Sequence, residues 1–186
     1  MPYRAAVTIV RRVASDDLLP DELDALRQLF DAAWPDGDDL FTDEDWDHTF
    51  GGVHFIVEDA GRVISHASVI ERELHTSGHR LRTGYVEGVA TSPSHRRRGL
   101  GSDVMRAVGT YIDETFELGA LGTGLITFYE RLGWIVWDGP TGVRTNRGIV
   151  PTPEDDGSIL VRLTPSTPNL DRAAPISCEW RPGDVW

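Results

Sequence analysis

Lysine is missing from this chain of 186 residues, so all 18 basic residues are arginine. That excludes a Walker-type phosphate lysine and a Schiff-base lysine. Cysteine occurs once, as Cys178, which excludes an internal disulfide and a multi-cysteine metal site. Its two readings are a small buried filler and a nucleophile. Long apolar runs are missing as well: none approaches the roughly 18 residues that a membrane helix needs. The start, Met1-Pro-Tyr-Arg4, has no signal-peptide core, so a cytoplasmic chain without a membrane partner is expected. Positive charge is scarce, with a formal net charge of −12. That argues against nucleic acid, where affinity rests on neutralising phosphates. It favours a cationic partner through long-range attraction, or serves solubility alone. The six histidines, at 48, 54, 66, 75, 79 and 95, lack metal-ligand spacing, and no metal is expected. His66 falls mid-strand and is either a second base or a satisfied packing residue. There is no internal repeat or linker, and the length suits one domain, 1–186, on a prior of about 100–200 residues per domain.

What is present centres on residues 85–102. Leu81–Thr91 alternates and predicts a strand. With unbroken alternation, Val86 and Gly88 share one face, while Tyr85, Glu87 and Val89 share the other. Pro93 ends the strand, Arg96-Arg97-Arg98 follows, and Gly99-Leu100-Gly101 opens a helix to about Glu117 with Val104, Val108 and Ile112 on one side. Backbone N–H groups at a helix start lack intrahelical acceptors and sit at the positive end of the macrodipole. Glycines there let a phosphate approach the backbone. The arrangement reads as a phosphate cradle, or as an ordinary strand–helix junction with a solvated basic turn.

Elsewhere, Ala5–Val13 predicts a strand. Ser15 or Asp16 caps a helix carrying Leu23, Leu26, Leu29 and Phe30 as far as Ala33. Over positions 36–47, beside Trp34 and Trp46, seven acids crowd together (Asp36, Asp38, Asp39, Asp43, Glu44, Asp45 and Asp47), as a solvated loop or a partly buried wall. Within them Thr42 and Asp45 form a capping-box-like start for a short helix. Val53–Glu58 and Arg62–Leu74 predict a hairpin. Ala120-Leu121 reads as a short strand, 125–132 as a helix, and Ile135–Trp137 and Ile159–Leu163 as strands. The segment between the last two and the tail 164–186 are irregular on periodicity. Trp180 and Trp186 are costly residues to leave on a loose end, so the tail is expected to dock.

Arg96–Gly101, after a strand and before a helix, resembles the Arg/Gln-x-x-Gly-x-Gly/Ala signature of the GNAT (GCN5-related) N-acetyltransferases. Gly51-Gly52-Val53-His54, Gly84–Val89 and Cys178–Trp186 narrow the resemblance to the aminoglycoside 2′-N-acetyltransferases, as do Asp45-Trp46, Leu118–Leu121 and Thr152–Gly157. The resemblance implies an α+β (mixed α/β) GNAT fold, a central, mostly antiparallel, splayed sheet flanked by helices. It implies acetyl-CoA as co-substrate, with Val89, Ala90 and Thr91 against the pantetheine arm and Arg96, Arg97, Arg98, Gly99, Leu100 and Gly101 on the pyrophosphate. A backbone N–H near Val89 would serve as oxyanion donor. Tyr129 would protonate the leaving sulfur and Glu87 relay the amine proton through water. The substrate set it implies is Asp38 or Asp39, Asp45, Glu87, Gly88, Glu154, Asp155, Asp184 and Trp186, the last through its terminal carboxylate, which joins Glu87 and Tyr129 in the expected catalytic set. Gly122 departs from the family, which can carry a serine there. The expected activity is acetylation of the 2′-amino group of aminoglycosides, conferring resistance. The alternatives are acetylation of another polyamine or cationic amino sugar, and a non-catalytic acetyl-CoA or cation-binding module. A homodimer is compatible with the sequence.

Overall fold

A computed structural model of the chain describes residues 8–35 and 41–186. Asp38, Asp39 and the start of the first expected strand lie outside the described residues. Among the described residues that strand, β1 (Arg11–Ala14), begins only at Arg11. Helix α1 (Pro20–Ala33) does not start from Ser15 or Asp16, which lie in a short 3-10 turn. Pro20 takes the first helical position, where its missing N–H is not needed and its fixed φ suits the helix. The Glu22 carboxylate then accepts from the Leu19 N–H at 2.8 Å. Helix α2 (Asp43–His48) has the expected reciprocal cap. Thr42 Oγ1 accepts from the Asp45 N–H at 3.1 Å, and Asp45 Oδ2 accepts from the Thr42 N–H at 2.8 Å.

The strands β2 (Val53–Asp59), β3 (Arg62–Thr76) and β4 (His79–Thr91) form an antiparallel meander that leads into helix α3 (Leu100–Thr115). Then come β5 (Leu118–Gly122), α4 (Ile126–Glu130) and β6 (Ile135–Val136). The region expected to be irregular carries a hairpin, β7 (Thr141–Thr145) and β8 (Gly148–Pro151), followed by β9 (Ile159–Leu163). The tail contributes β10 (Ile176–Glu179), which runs antiparallel to β3 and parallel to β7. These segments are too short for periodicity to reveal, and β10 is held by strands distant in sequence. Among the described residues all belong to one sheet of ten strands, in the order β6-β9-β5-β4-β3-β10-β7-β8, with β2 against the remaining length of β3 and β1 against β2.

Helix α3 covers one face, with Val104, Met105, Val108 and Ile112 packed on Val69, Val86 and Leu121. Helix α1 covers part of the other through Leu26 and Phe30 against Ile56 and Ala90. The tail covers the rest, with Trp186 against Tyr85 and Leu118. Trp186 is 5% exposed, as a docked tail requires, whereas Trp180 is 60% exposed and contributes little to docking. Cys178 is a fully buried filler beneath this tail. No described helix is long and apolar enough to cross a membrane.

Two irregularities of β4 make the site. The first is a splay: β4 pairs with β5 only from Thr83 to Tyr85, while its pairing with β3 continues to Thr91. Beyond Tyr85, therefore, β4 has a neighbour on one edge and an opening on the other. The second is a bulge. Ser68 opposes Glu87 and His66 opposes Ala90, so two steps on β3 match three on β4. His66 and Ser68 are two apart and share a face, which puts Glu87 and Ala90 on that same face and Val89 on the opposite one. The expected sharing of a face by Glu87 and Val89 is thereby overturned. Val89 packs instead with the cluster of α3 and Val86.

Candidate active site

A cleft of about 730 Å³ lies between the end of β4 and the start of α3, lined among others by Val89–Thr91, Arg96, Arg97, Gly99–Ser102 and Phe128. Gly99 caps the helix in the left-handed region (φ 85°), and the first helical bond runs from the Asp103 N–H to the Gly99 carbonyl at 3.0 Å. The N–H groups of Leu100, Gly101 and Ser102 precede that bond and have no partner within the helix. A β-carbon on Gly101 would stand 3.3 Å from Thr91 Oγ1, so the turn packs tightly on the strand end. Orphan donors, the macrodipole and the Arg96 and Arg97 side chains suit a phosphate-bearing ligand, and the volume falls in the usual range of about 300–1,000 Å³. Arg98, expected on the pyrophosphate, is exposed and stands outside the lining.

A second cleft of about 390 Å³ opens on the splay, lined by Trp34, Phe41, Asp45, Val86–Val89, Leu121–Thr123, Leu125 and Tyr129. The two clefts share Trp34, Val89, Leu125 and Tyr129. Trp34 stacks on Phe41 with centroids 5.1 Å apart, which holds the indole as one wall. Tyr129 is buried on α4, and burial pushes its phenol up to about 12. Asp45 reaches the cleft while it still caps α2.

Glu87 enters the second cleft from the bulged segment of β4. Burial pushes its carboxyl up to about 6, against the opposing pull of Arg181 and Arg72. Arg181 Nη1 donates to Glu87 Oε1 at 2.6 Å, its Nε to the Asp184 carbonyl at 2.6 Å, and its Nη2 to the Trp186 main-chain oxygen at 3.5 Å. Behind it the buried Arg72 of β3 donates to the carbonyls of Val185 (2.9 Å) and Glu179 (3.0 Å), and stacks on Tyr85 at 4.8 Å. Neither arginine was anticipated from the sequence. Arg72 had a readable signal, since it shares the inward side of β3 with Ile70 and Leu74. Arg181, on an aperiodic tail, had none.

Glu154, Asp155, Asp184 and Trp186 stand outside the lining of the second cleft. Trp186 nevertheless borders it: a β-carbon on Gly122 would lie 3.6 Å from its main-chain carbon and 3.5 Å from the Tyr85 hydroxyl. The Trp186 indole N–H donates to Thr152 Oγ1 at 3.0 Å, which ties the tail to the turn that bears Glu154 and Asp155. Burial, then repulsion from Asp184, Glu154 and Asp156, raises the Asp155 carboxyl. No cluster of three His, Cys, Asp or Glu side chains able to hold a metal occurs among the described residues.

Two clefts that meet on a splayed, bulged strand, one of them at a helix start, suit group transfer between two ligands, and residues 16–136 match the family described as "Acetyltransferase (GNAT) domain". The chain belongs to the GNAT acetyltransferases. Over 190 residues, covering 100% of this chain and 96% of the relative, it is 38% identical to an aminoglycoside 2′-N-acetyltransferase of Mycolicibacterium fortuitum. Among solved structures it resembles a GNAT family N-acetyltransferase of Escherichia coli in complex with CoA (TM-score 0.63, 13% identity, 92% of this chain and 89% of that one). It also resembles a GCN5-related N-acetyltransferase of Kribbella flavida (TM-score 0.55, 22% identity, 71% of this chain), of which it spans 35%.

Proposed function

We propose that the chain, 1–186 acting as one catalytic unit with its tail, transfers the acetyl group of acetyl-CoA to the 2′-amino group of aminoglycosides. The meeting of the two clefts at Val89 and Tyr129, with Glu87 in the acceptor cleft, carries this reading. Bound acetyl-CoA would supply an activated acetyl thioester. Val89–Thr91 and the start of α3 would hold its pantetheine arm and pyrophosphate. Asp45 and Glu87 would attract and orient the ammonium groups of the acceptor, and Trp34 and Phe41 would flank its rings. Glu87, ionised at neutral pH, takes the amine proton through water as nitrogen bonds the acetyl carbon. The Val89 N–H donates to the carbonyl oxygen as it gains charge, and loss of such a donor costs about 2.7–4 kcal/mol. Tyr129 gives its proton to the sulfur as the C–S bond breaks, which a phenol still protonated far above neutral pH can do. Alignment of amine and thioester contributes roughly 7–11 kcal/mol.

Mixing the protein with acetyl-CoA and an aminoglycoside should release free thiol and yield a product bearing one added acetyl group. An aminoglycoside with hydroxyl at the 2′ position should be inert. Acetylation of both, or of simple polyamines at equal rate, would replace the reading with a broader amine acetyltransferase. Resistance follows if expression in a susceptible bacterium raises the tolerated aminoglycoside concentration.

A further inference from the structure

Two fully buried histidines lie behind the bulge of β4, outside both clefts. They form a chain of contacts: Ser15 Oγ to His54 Nε2 at 2.9 Å, His54 Nδ1 to His66 Nε2 at 2.9 Å, and His66 Nδ1 to the Gly88 carbonyl at 2.7 Å. Burial holds both imidazoles below their ordinary range, His54 at about 4 and His66 at about 3, so both are neutral at physiological pH. The proton positions then follow by elimination. A carbonyl only accepts, so His66 Nδ1 carries a proton and donates to Gly88. Its Nε2 is therefore an acceptor, which makes His54 Nδ1 the donor, and His54 Nε2 in turn accepts from the Ser15 hydroxyl. Ser15 Oγ is itself held by the N–H groups of Gly51 (3.0 Å) and Gly52 (3.1 Å). The donors all point one way and end on Gly88, and hydrogen bonds aligned in this manner polarise one another.

The Gly88 carbonyl belongs to the same peptide unit as the Val89 N–H. In a planar trans peptide these two bonds point in opposite directions, and no described peptide bond is cis. A carbonyl turned toward the His66 ring sends the Val89 N–H to the side away from that ring, and Val89 lines both clefts. Neither Gly88 nor Val89 has a partner in the β3–β4 register. Gly88 sits at φ 55°, and glycine enters this region as readily as its alternatives, so the backbone by itself does not select this orientation. A β-carbon would come within 2.8 Å of Thr49 Cγ2, which leaves glycine the residue the packing admits.

We infer that His66, held in its tautomer by His54 and Ser15, is a positioning residue that fixes the Gly88–Val89 peptide so that the Val89 N–H faces the junction of the two clefts. This rests on the acetyl-transfer reading, in which that N–H receives the developing oxyanion.

Two substitutions and two readouts test it. His66→Phe keeps the ring and removes the donor; His66→Asn keeps an N–H near the place of Nδ1 and removes the acceptor for His54. Steady-state kinetics with acetyl-CoA and an aminoglycoside should show kcat of the Phe variant down roughly 10- to 100-fold. Its acetyl-CoA KM should stay within about two-fold, because the interaction is made in the transition state. The Asn variant should recover most of the kcat although its melting temperature is lower. A Phe variant with wild-type kcat, or Phe and Asn variants that lose kcat in step with melting temperature, overturns the inference. The second readout needs no turnover. The Val89 amide proton of the wild type should move downfield with acetyl-CoA relative to CoA, and this difference should vanish in the Phe variant. Its absence from the wild type, or its persistence in the Phe variant, also overturns the inference. A wild type that shows the shift but acetylates no amine sinks the acetyl-transfer reading alone.

Discussion

Arg181 Nη1 donates to Glu87 Oε1 at 2.6 Å, closing an ion pair in which each side chain is 15% exposed. The guanidinium also meets the main-chain oxygens of Asp184 and Trp186, so it links the docked tail to the bulged strand. Burial and ion pairing oppose one another at Glu87. Burial dominates and leaves a carboxyl that titrates near 6, suited to a proton relay at neutral pH. Removing one partner of such a pair leaves an uncompensated charge in a poorly solvated place, which costs about 3–5 kcal/mol for fully buried pairs.

The ratio kcat/KM for an aminoglycoside should rise with pH through about 6, because Glu87 holds a proton below that value and can accept one above it. In Glu87→Gln this acidic limb should disappear and the rate should stay low throughout, with acetyl-CoA binding retained. A limb that persists in Glu87→Gln belongs to another group.

Arg181→Gln removes a cation that lowers the Glu87 pKa. The acidic limb should therefore move to higher pH, and activity at neutral pH should fall more than activity at pH 8. An unshifted limb would mean that Arg181 only fastens the tail.

Arg72→Met should detach the tail while leaving the cleft at the start of α3 unchanged. Two hydrogen bonds from a buried guanidinium are lost, each worth about 1.5–3 kcal/mol. The melting temperature should drop and the aminoglycoside KM should rise, with acetyl-CoA KM little altered. Deletion of 184–186 should reproduce the KM effect with a smaller loss of stability.

Gly99→Asp should raise the acetyl-CoA KM strongly. It forces an L-residue to φ 85° at a cost of roughly 1–2 kcal/mol, and adds negative charge where the helix start would meet pyrophosphate. Gly99→Ala separates the terms, since it carries only the conformational one. Equal acetyl-CoA affinity in the Asp variant and the wild type, measured by calorimetry, would remove the cradle assignment.

Added salt should weaken aminoglycoside binding. Asp45 is half-buried and Asp43, Glu44 and Asp47 are exposed, and attraction at exposed positions is screened beyond about 8 Å at physiological ionic strength. An aminoglycoside KM that stays flat between low and high salt would exclude an electrostatic contribution from this acidic stretch.

The sequence by itself determined the elements whose information is local. Alternation in Leu81–Thr91, the stop at Pro93, the glycines at 99 and 101 and the apolar stripe of Val104, Val108 and Ile112 define strand, turn and helix within some thirty residues. The reciprocal cap of Thr42 and Asp45 spans four residues and is equally legible. Where two local signals competed the sequence misled, since Ser15 resembles a cap but Pro20 sets the helix start and leaves Ser15 to hold His54. Tertiary structure alone decided the rest. The bulge that separates Glu87 from Val89 exists only against β3, because register is a relation between two strands. The strands β7, β8 and β10 are short, and β10 owes its place to β3 and β7. Arg181 and Glu87 are 94 residues apart, and no periodicity relates them. Only the docking of the tail brings these opposite charges together where water is largely excluded, and that exclusion sets the carboxyl's pKa.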